Sequence, residues 1–190
     1  MINEFINFVH EIFPSISPYT KERVKDAIKQ FEIEGKKPNF LLYEPFEYLA
    51  QGDIVETLPF IRYDQDGNRQ LYKTKGILIS NTCDAENDDT VVFAPLLPLE
   101  SIKLEKTNLL KNQNFRLLYL PDQRLKDYIV DLSLLNGYSK KLITDSIGNG
   151  KMNKISSLSQ FGYYMFLCKL TIHLMRPEDL EVQGCRKVAG

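Results

Sequence analysis

Apolar residues and turn residues alternate in three consecutive stretches near the middle of the chain. Residues 54–61 are rich in β-branched and apolar side chains, and a polar segment rich in Asp, Gly and Asn follows at 64–68. Two further apolar runs occupy 71–80 and 90–96. The pattern predicts three β-strands, the first two joined by a tight turn. Pro59 predicts a bend or an edge position in the first strand.

Shorter elements follow in the second half of the chain. A polar stretch at 100–114 predicts a loop or a short helix, and apolar runs at 115–120 and 128–135 predict two more strands. The Gly-Asn-Gly sequence at 148–150 predicts a flexible break. A final helix is predicted at about 157–176, with apolar residues over more than half of its circumference. We expect that helix to be buried on two sides.

The start of the chain has helical periodicity. Residues 2–13 and 21–34 each place apolar side chains at helical spacing. They predict a helical extension over 1–38, ahead of a main domain at 50–176 and a tail at 177–190. Five or six short strands with a terminal helix predict a mainly β protein with helices (α+β), a small barrel and not a parallel sheet.

Charge is unevenly distributed along a chain whose net charge is -1. Residues 1–60 carry 6 Lys and Arg against 10 Asp and Glu, whereas residues 101–176 carry 12 against 5. The basic second half indicates either a face for nucleic acid or an acidic partner, or simply solvated helix and strand faces. Three cysteines without close pairs favour a reducing compartment over a disulfide framework or a zinc site. With neither a signal peptide nor an apolar run of about 20 residues, we expect a cytoplasmic protein without membrane contact.

Three motifs, taken in order, resemble the PemK/MazF-like toxin family. Residues 52–55 (Gly-Asp-Ile-Val) are similar to the family's first strand. Residues 75–81 (Lys-Gly-Ile-Leu-Ile-Ser-Asn) resemble its Arg-Pro-Val-Leu-Val-Ile-Ser-Asn strand, and 92–97 (Val-Phe-Ala-Pro-Leu-Leu) resemble its Val-Ala-Pro-Leu-Thr strand. The resemblance covers about residues 50–176. It implies a small, strongly bent SH3-like barrel in a toxin-like or phage-defence-associated protein. That protein would bind single-stranded RNA and, if active, would be an endoribonuclease without metal or cofactor.

The same resemblance implies catalytic positions and shows where this chain departs from them. The family's phosphate-contacting arginine corresponds here to Lys75. The ammonium of a lysine cannot make the bidentate hydrogen bonds to phosphate that a guanidinium makes. The family's Ser or Thr corresponds to Leu97, which has no hydroxyl. The chain is therefore either inactive or uses other residues. If it cuts RNA, Lys75 and Arg116 would hold the phosphate. Candidates for proton transfer or positioning are Asp84, Asn81 and Ser80.

Basic and aromatic side chains along the strands predict an RNA-binding face. Single-stranded RNA is bound by cations that contact phosphates and by rings that stack on bases. Residues that could meet on one face are Tyr72, Lys73, Lys75, Arg116, Tyr119, Arg124 and Lys126. In the family toxins the same groove accepts the antitoxin. A non-catalytic module that binds an antitoxin or a defence-system protein is thus the alternative, and a homodimer is expected because the family's barrels pair.

The polar loop at 81–89 allows several interpretations. Cys83 lies beside Asp84, and a nearby negative charge raises a thiol pKa, which argues against a catalytic thiolate. The loop is interpreted as a turn with Asn81 or Asp84 capping the backbone, or as a ligand-reading loop. Its four acidic residues favour a solvated loop over a calcium site, because no glycine allows the sharp turn. His10 and His173 are interpreted as packing or surface residues.

Overall fold

The computed structural model describes residues 39–175 and 179–185. They form an α+β structure built on a seven-stranded antiparallel sheet. The strands are β1 (Ile54–Tyr63), β2 (Arg69–Leu78), β3 (Thr90–Pro98), β4 (Leu117–Leu118), β5 (Tyr128–Asp131), β6 (Asn136–Ser139) and β7 (Lys154–Ser156). The helices are α1 (Thr82–Asn87), α2 (Lys106–Leu110), α3 (Lys140–Gly148), α4 (Gln160–Met175) and α5 (Leu180–Cys185), with a 3-10 turn at Leu99–Ser101. The helices predicted at 2–13 and 21–34, with His10, lie outside the described residues.

β1 and β2 form a long hairpin with a polar turn. Their pairing continues to Tyr63 and Arg69, and the carboxylate of Asp64 accepts the N–H groups of Asp66 and Asn68 at 3.0 and 2.8 Å. The hydrogen bond from the Asn68 backbone is the main reason that the pKa of Asp64 is lowered. The turn predicted between these strands is confirmed.

β3 is the central strand of the sheet and has partners along both edges. β2 pairs with one edge, whereas β6 pairs with the first half of the other edge and β5 with its second half. At the far side β1 pairs with β2 before and after a bulge, and with β7 only at Ile54 and Val55. Pro59 therefore lies in an edge segment, as predicted. No pairing joins β4 to β7 in the described part of the chain, so a closed barrel stays a prediction.

Two apolar clusters cover the two faces of the sheet. Ile54 and Ile77 belong to the cluster that contains Phe166 of α4, whereas Val55 and Leu78 belong to the cluster that contains Ile143 of α3. Successive residues of a strand point to opposite faces. The sheet is therefore sandwiched between α4 on one face and α3 on the other. The buried side chains on the α3 face also include Phe60, Phe93 and Met152.

The terminal helix α4 packs closely against the segment that precedes β1. The hydroxyl oxygen of Ser159 accepts the Gly162 N–H at 3.1 Å, which caps the helix. A Cβ on Gly162 would lie 2.1 Å from the carbonyl oxygen of Phe40, so the helix and this segment touch through backbone. Every described position from 161 to His173 is buried or half-buried. The prediction of a helix covered on more than one side is confirmed as far as His173.

Several elements differ from the predictions, each for a physical reason. β6 has an Asn-Gly-Tyr-Ser sequence with weak strand propensity, and it forms because its backbone pairs with Thr90–Phe93 of β3. α3 has only Ile143 and Ile147 as inward apolar residues, too few for a visible periodicity. Six of the nine residues of the predicted loop at 81–89 form the helix α1, because the side chain of Asn81 caps its start. The predicted strands at 115–120 and 128–135 shorten to β4 and β5.

Candidate functional site

The Gly-Asp motif anchors the start of β1. Gly52 has φ +88°, and a Cβ there would lie 2.4 Å from Cδ1 of Leu158, so both conformation and space require glycine. Asp53 is fully buried and makes a charged pair with Lys154 at 2.8 Å. Its carboxylate also accepts hydrogen bonds from the Ala50 N–H and the Ser157 hydroxyl. These contacts hold β1 beside β7 and leave Asp53 without access to a ligand.

A β-bulge interrupts β1 immediately after this anchor. β1 has two residues, Glu56 and Thr57, where β2 has the single residue Lys75. Thr57 has φ +62°, a conformation that is a genuine outlier for a β-branched residue. The pairs that flank the bulge are Val55 with Gly76 and Leu58 with Thr74. The extra residue turns the strand locally and brings two polar side chains opposite Lys75.

An open groove of about 410 Å³ lies beside the bulge. We call it the Lys75 groove. Its wall-forming residues are Glu56 and Thr57 of β1, Tyr72, Lys73 and Lys75 of β2, Leu97 of β3 and Tyr128 of β5. Four strands therefore contribute to one concave surface. Of the nine site residues predicted from the sequence, three meet here, namely Lys75, Lys73 and Tyr72.

Lys75 and Tyr128 are in direct contact within the groove. The Nζ atom of Lys75 lies 4.1 Å from the centroid of the Tyr128 ring, a cation–π arrangement. Lys73 is exposed on the same face of β2, because it lies two residues earlier in the strand. Neither lysine makes an ion pair with any residue that the structure describes. The groove thus presents two cations and an aromatic ring.

The ring of Tyr72 is packed against other side chains and is not free to stack on a base. Its ring stacks on Phe60 with 5.9 Å between centroids, and the guanidinium of Arg62 lies 5.6 Å from the Tyr72 ring centroid. Burial is the main cause that raises the pKa of Tyr72, and the charge of Asp131 adds to it. The hydroxyl oxygen is buried without a hydrogen-bond partner among the described residues. Tyr128 is therefore the ring that the groove presents to a ligand.

Leu97 places an aliphatic side chain where the resembled family has a hydroxyl. Leu97 is half-buried in the groove wall, close to the bulge residues in the same cavity. The neighbouring Thr74 hydroxyl donates to the Leu96 carbonyl oxygen at 2.5 Å, so it is committed to the backbone. Thr57 is exposed and contributes a hydroxyl to the groove from a different strand.

Arg116 and Arg124 do not line the Lys75 groove. The guanidinium of Arg116 lies 3.2 Å from the carboxylate of Asp131, which is buried. Arg124 pairs with Asp122 at 2.9 Å and donates to the carbonyl oxygen of Leu42 at 2.9 Å. The hydrogen bond from Arg124 lowers the pKa of Asp122. Both arginines have structural partners in this conformation.

The remaining predicted residues lie around α1 or on the small cluster near α2. The hydroxyl oxygen of Ser80 accepts the Val92 N–H at 2.9 Å, and the side chain of Asn81 accepts the Cys83 N–H at 2.9 Å as the cap of α1. The predicted backbone cap at Asn81 is thereby confirmed. Asp84 is exposed in the first turn of that helix. Tyr119 packs against the cluster of Leu109, Leu117 and Ile129. None of these four residues lines the Lys75 groove.

The sequence analysis missed three groove residues: Glu56, Thr57 and Tyr128. Tyr128 is the first residue of a predicted strand. It lies two residues before Val130, so the two side chains share a face of the sheet, and that face also carries Lys75. The bulge that brings Glu56 and Thr57 opposite Lys75 has no glycine or proline at its own two positions, so local composition gives no signal for it.

Comparison with protein-family models finds no match, and no curated protein matches the chain. Among solved structures, one similar chain is in the crystal structure of MazE-MazF (Form-II) from Deinococcus radiodurans. The alignment covers 70% of this chain and 100% of that chain, with 11% sequence identity and a TM-score of 0.42. A likeness this distant does not assign the chain to a family. Within the described residues, no helix has the length and apolar character needed to cross a bilayer.

Proposed function

We propose that the Lys75 groove binds single-stranded RNA in a toxin-like or defence-associated protein. The observation that supports this most directly is the pairing of the Lys75 ammonium with the Tyr128 ring, with the exposed ammonium of Lys73 nearby. Cations contact phosphates, and tyrosine rings stack on unpaired bases. The motif order that resembles the PemK/MazF-like family supports the same function.

Substitution of the two lysines tests RNA binding. We expect Lys75→Ala to weaken binding of a short fluorescent single-stranded RNA and to reduce the salt dependence of binding by about 0.7 in the logarithmic slope, because one phosphate contact is lost. Lys141→Ala is the matched control, since Lys141 is 85% exposed on α3 and does not line the groove. Equal binding by wild type and Lys75→Ala would refute the proposal.

Endoribonuclease activity forms the second part of the proposal. Transesterification needs only the ribose 2′-hydroxyl, a base and stabilisation of the phosphate charge, so no metal is required. Induced expression in bacteria, with growth and total RNA integrity as readouts, tests it. We expect growth arrest with cut RNA for the wild type and neither for Lys75→Ala.

A non-catalytic binding module is the second candidate, and Leu97 favours it. An aliphatic residue at this place gives the groove an apolar wall and removes the hydroxyl that the resembled family uses. This candidate predicts that RNA or an antitoxin-like protein binds while RNA stays intact. Binding without cleavage, with normal growth, would support the module over the nuclease.

The barrel architecture, the cellular location and the oligomeric state are also proposals. We propose a small SH3-like barrel, supported by the way β3 pairs with both β5 and β6 along one edge. We also propose a cytoplasmic homodimer whose groove is shared between RNA and an antitoxin or defence-system protein. Light scattering at several protein concentrations tests the dimer, and competition between RNA and the partner tests the shared groove.

A further inference from the structure

We propose that Glu56 is the general base of the Lys75 groove and removes the proton from an RNA 2′-hydroxyl. This inference rests on the proposed RNA-binding function of the same groove. Among the described residues that line the groove, Glu56 is the one with a carboxylate. The other titratable side chains there are those of Lys73, Lys75, Tyr72 and Tyr128. The carboxylate considered for proton transfer from the sequence, that of Asp84, is exposed on α1 and does not line the groove.

The bulge determines where Glu56 lies. Two residues of β1 oppose Lys75, so the carboxylate and the ammonium reach the groove from adjacent strands. The Glu56 N–H donates to the Asn153 carbonyl oxygen at 2.9 Å, which fixes its backbone against β7. Thr57 holds the left-handed conformation that completes the bulge. Such strained positions are concentrated at functional sites, where surrounding structure maintains them.

The carboxylate of Glu56 and the ammonium of Lys75 belong to residues that line the same groove, but they are not paired with each other. Glu56 and Lys75 line one cavity, yet no ion pair joins them in the described structure. Glu56 is half-buried, and its carboxylate makes no hydrogen bond with a described residue. A base must be free to accept a proton, and a phosphate-binding cation must be free to meet the phosphate. Both conditions hold here.

The proposed step balances without any co-reactant. Glu56 accepts the proton of the 2′-hydroxyl as the 2′-oxygen forms a bond to phosphorus. The bond from phosphorus to the 5′-oxygen breaks, and the leaving 5′-oxygen takes a proton from water while Glu56 returns its proton to water. The products are a 2′,3′-cyclic phosphate and a 5′-hydroxyl. Lys75 stabilises the charge that develops on the phosphate oxygens.

The test compares Glu56→Gln with the wild type in two assays on the full chain. One assay measures cleavage of a short random-sequence single-stranded RNA, and the other measures binding of its 2′-O-methyl copy, which lacks the reactive hydroxyl. We expect Glu56→Gln to lower the cleavage rate by about 10²–10⁴-fold, the usual contribution of a general base, with binding of the 2′-O-methyl copy unchanged. Glu56→Asp should recover part of the rate. Glu86→Gln, on the exposed surface of α1, is the matched control.

A pH profile separates a base from a residue that only supports the fold. The wild-type cleavage rate should fall in acid, as expected for catalysis by a general base, and Glu56→Gln should lose that dependence. The other titratable side chains that line the groove are those of Lys73, Lys75, Tyr72 and Tyr128, and the nearby Asp53 is paired with Lys154. Cleavage by Glu56→Gln at the wild-type rate, or loss of binding together with cleavage, would overturn the role of Glu56. A wild type that binds RNA without cutting it would also overturn this role, while leaving the proposed RNA binding intact.

Discussion

The buried pair of Asp53 and Lys154 allows a quantitative test of what holds the groove-bearing strand in place. Asp53 is fully buried, and the side chain of Lys154 is only 8% exposed. Lys154→Met keeps a long apolar side chain but leaves the Asp53 carboxylate in the core without its counter-charge. Breaking a buried pair in this way costs about 3–5 kcal/mol. The lost hydrogen bond to the Tyr48 carbonyl oxygen adds about 1 kcal/mol.

Urea unfolding of the wild type and the variant measures this cost as a shift in midpoint at constant slope. The matched control is Lys141→Met, which breaks the surface pair with Asp145, a pair worth about 0–1 kcal/mol. The double variant Asp53→Asn with Lys154→Met should recover part of the loss, because no uncompensated charge then remains. A loss below about 1 kcal/mol for Lys154→Met would refute the reasoning that this pair anchors β1.

Three further predictions concern backbone strain, close packing and pH. Thr57→Gly should raise the free energy of unfolding by about 1 kcal/mol, because glycine adopts φ +62° without strain; thermal unfolding measures it. Gly162→Ala should destabilise the fold by about 1–3 kcal/mol despite better helix propensity, since the new Cβ meets the Phe40 carbonyl oxygen; an unchanged midpoint in urea would contradict it. Burial lowers the pKa of Lys169 from 10.5 to about 8, so the unfolded chain binds more protons between those values. Stability relative to Lys169→Met should therefore increase as pH rises from about 8 to 10.5, and a parallel pH dependence of the two melting temperatures would exclude this.

Much of the sheet could be predicted from the sequence because its central strands have strong local signals. The runs that became β1, β2 and β3 combine β-branched residues with a turn that the side chain of Asp64 closes. β6 could not be predicted in this way, since its Asn-Gly-Tyr-Ser sequence becomes a strand only through pairing with β3. Tertiary pairing, and not propensity, decides its conformation.

The site was less predictable than the fold because its residues come from four strands. Lys73 and Lys75 were found since they follow each other at strand spacing in one β-run. Arg116 was grouped with them on charge alone, although its guanidinium lies against the buried Asp131. Glu56 was missed because a two-for-one bulge depends on how β1 pairs with β2, which composition does not show.

The motifs that carry the family resemblance and the residues that line the groove are largely different sets. Gly52 and Asp53 are buried and stabilise the fold. Leu158 packs directly against Gly52, and Asp53 forms a buried ion pair with Lys154. Glu56 and Tyr128 line the groove and lie outside those motifs. A chain can therefore keep the motif order while it replaces the chemistry of the site. For this reason the fold does not decide between nuclease and binding module, and the groove residues must be tested directly.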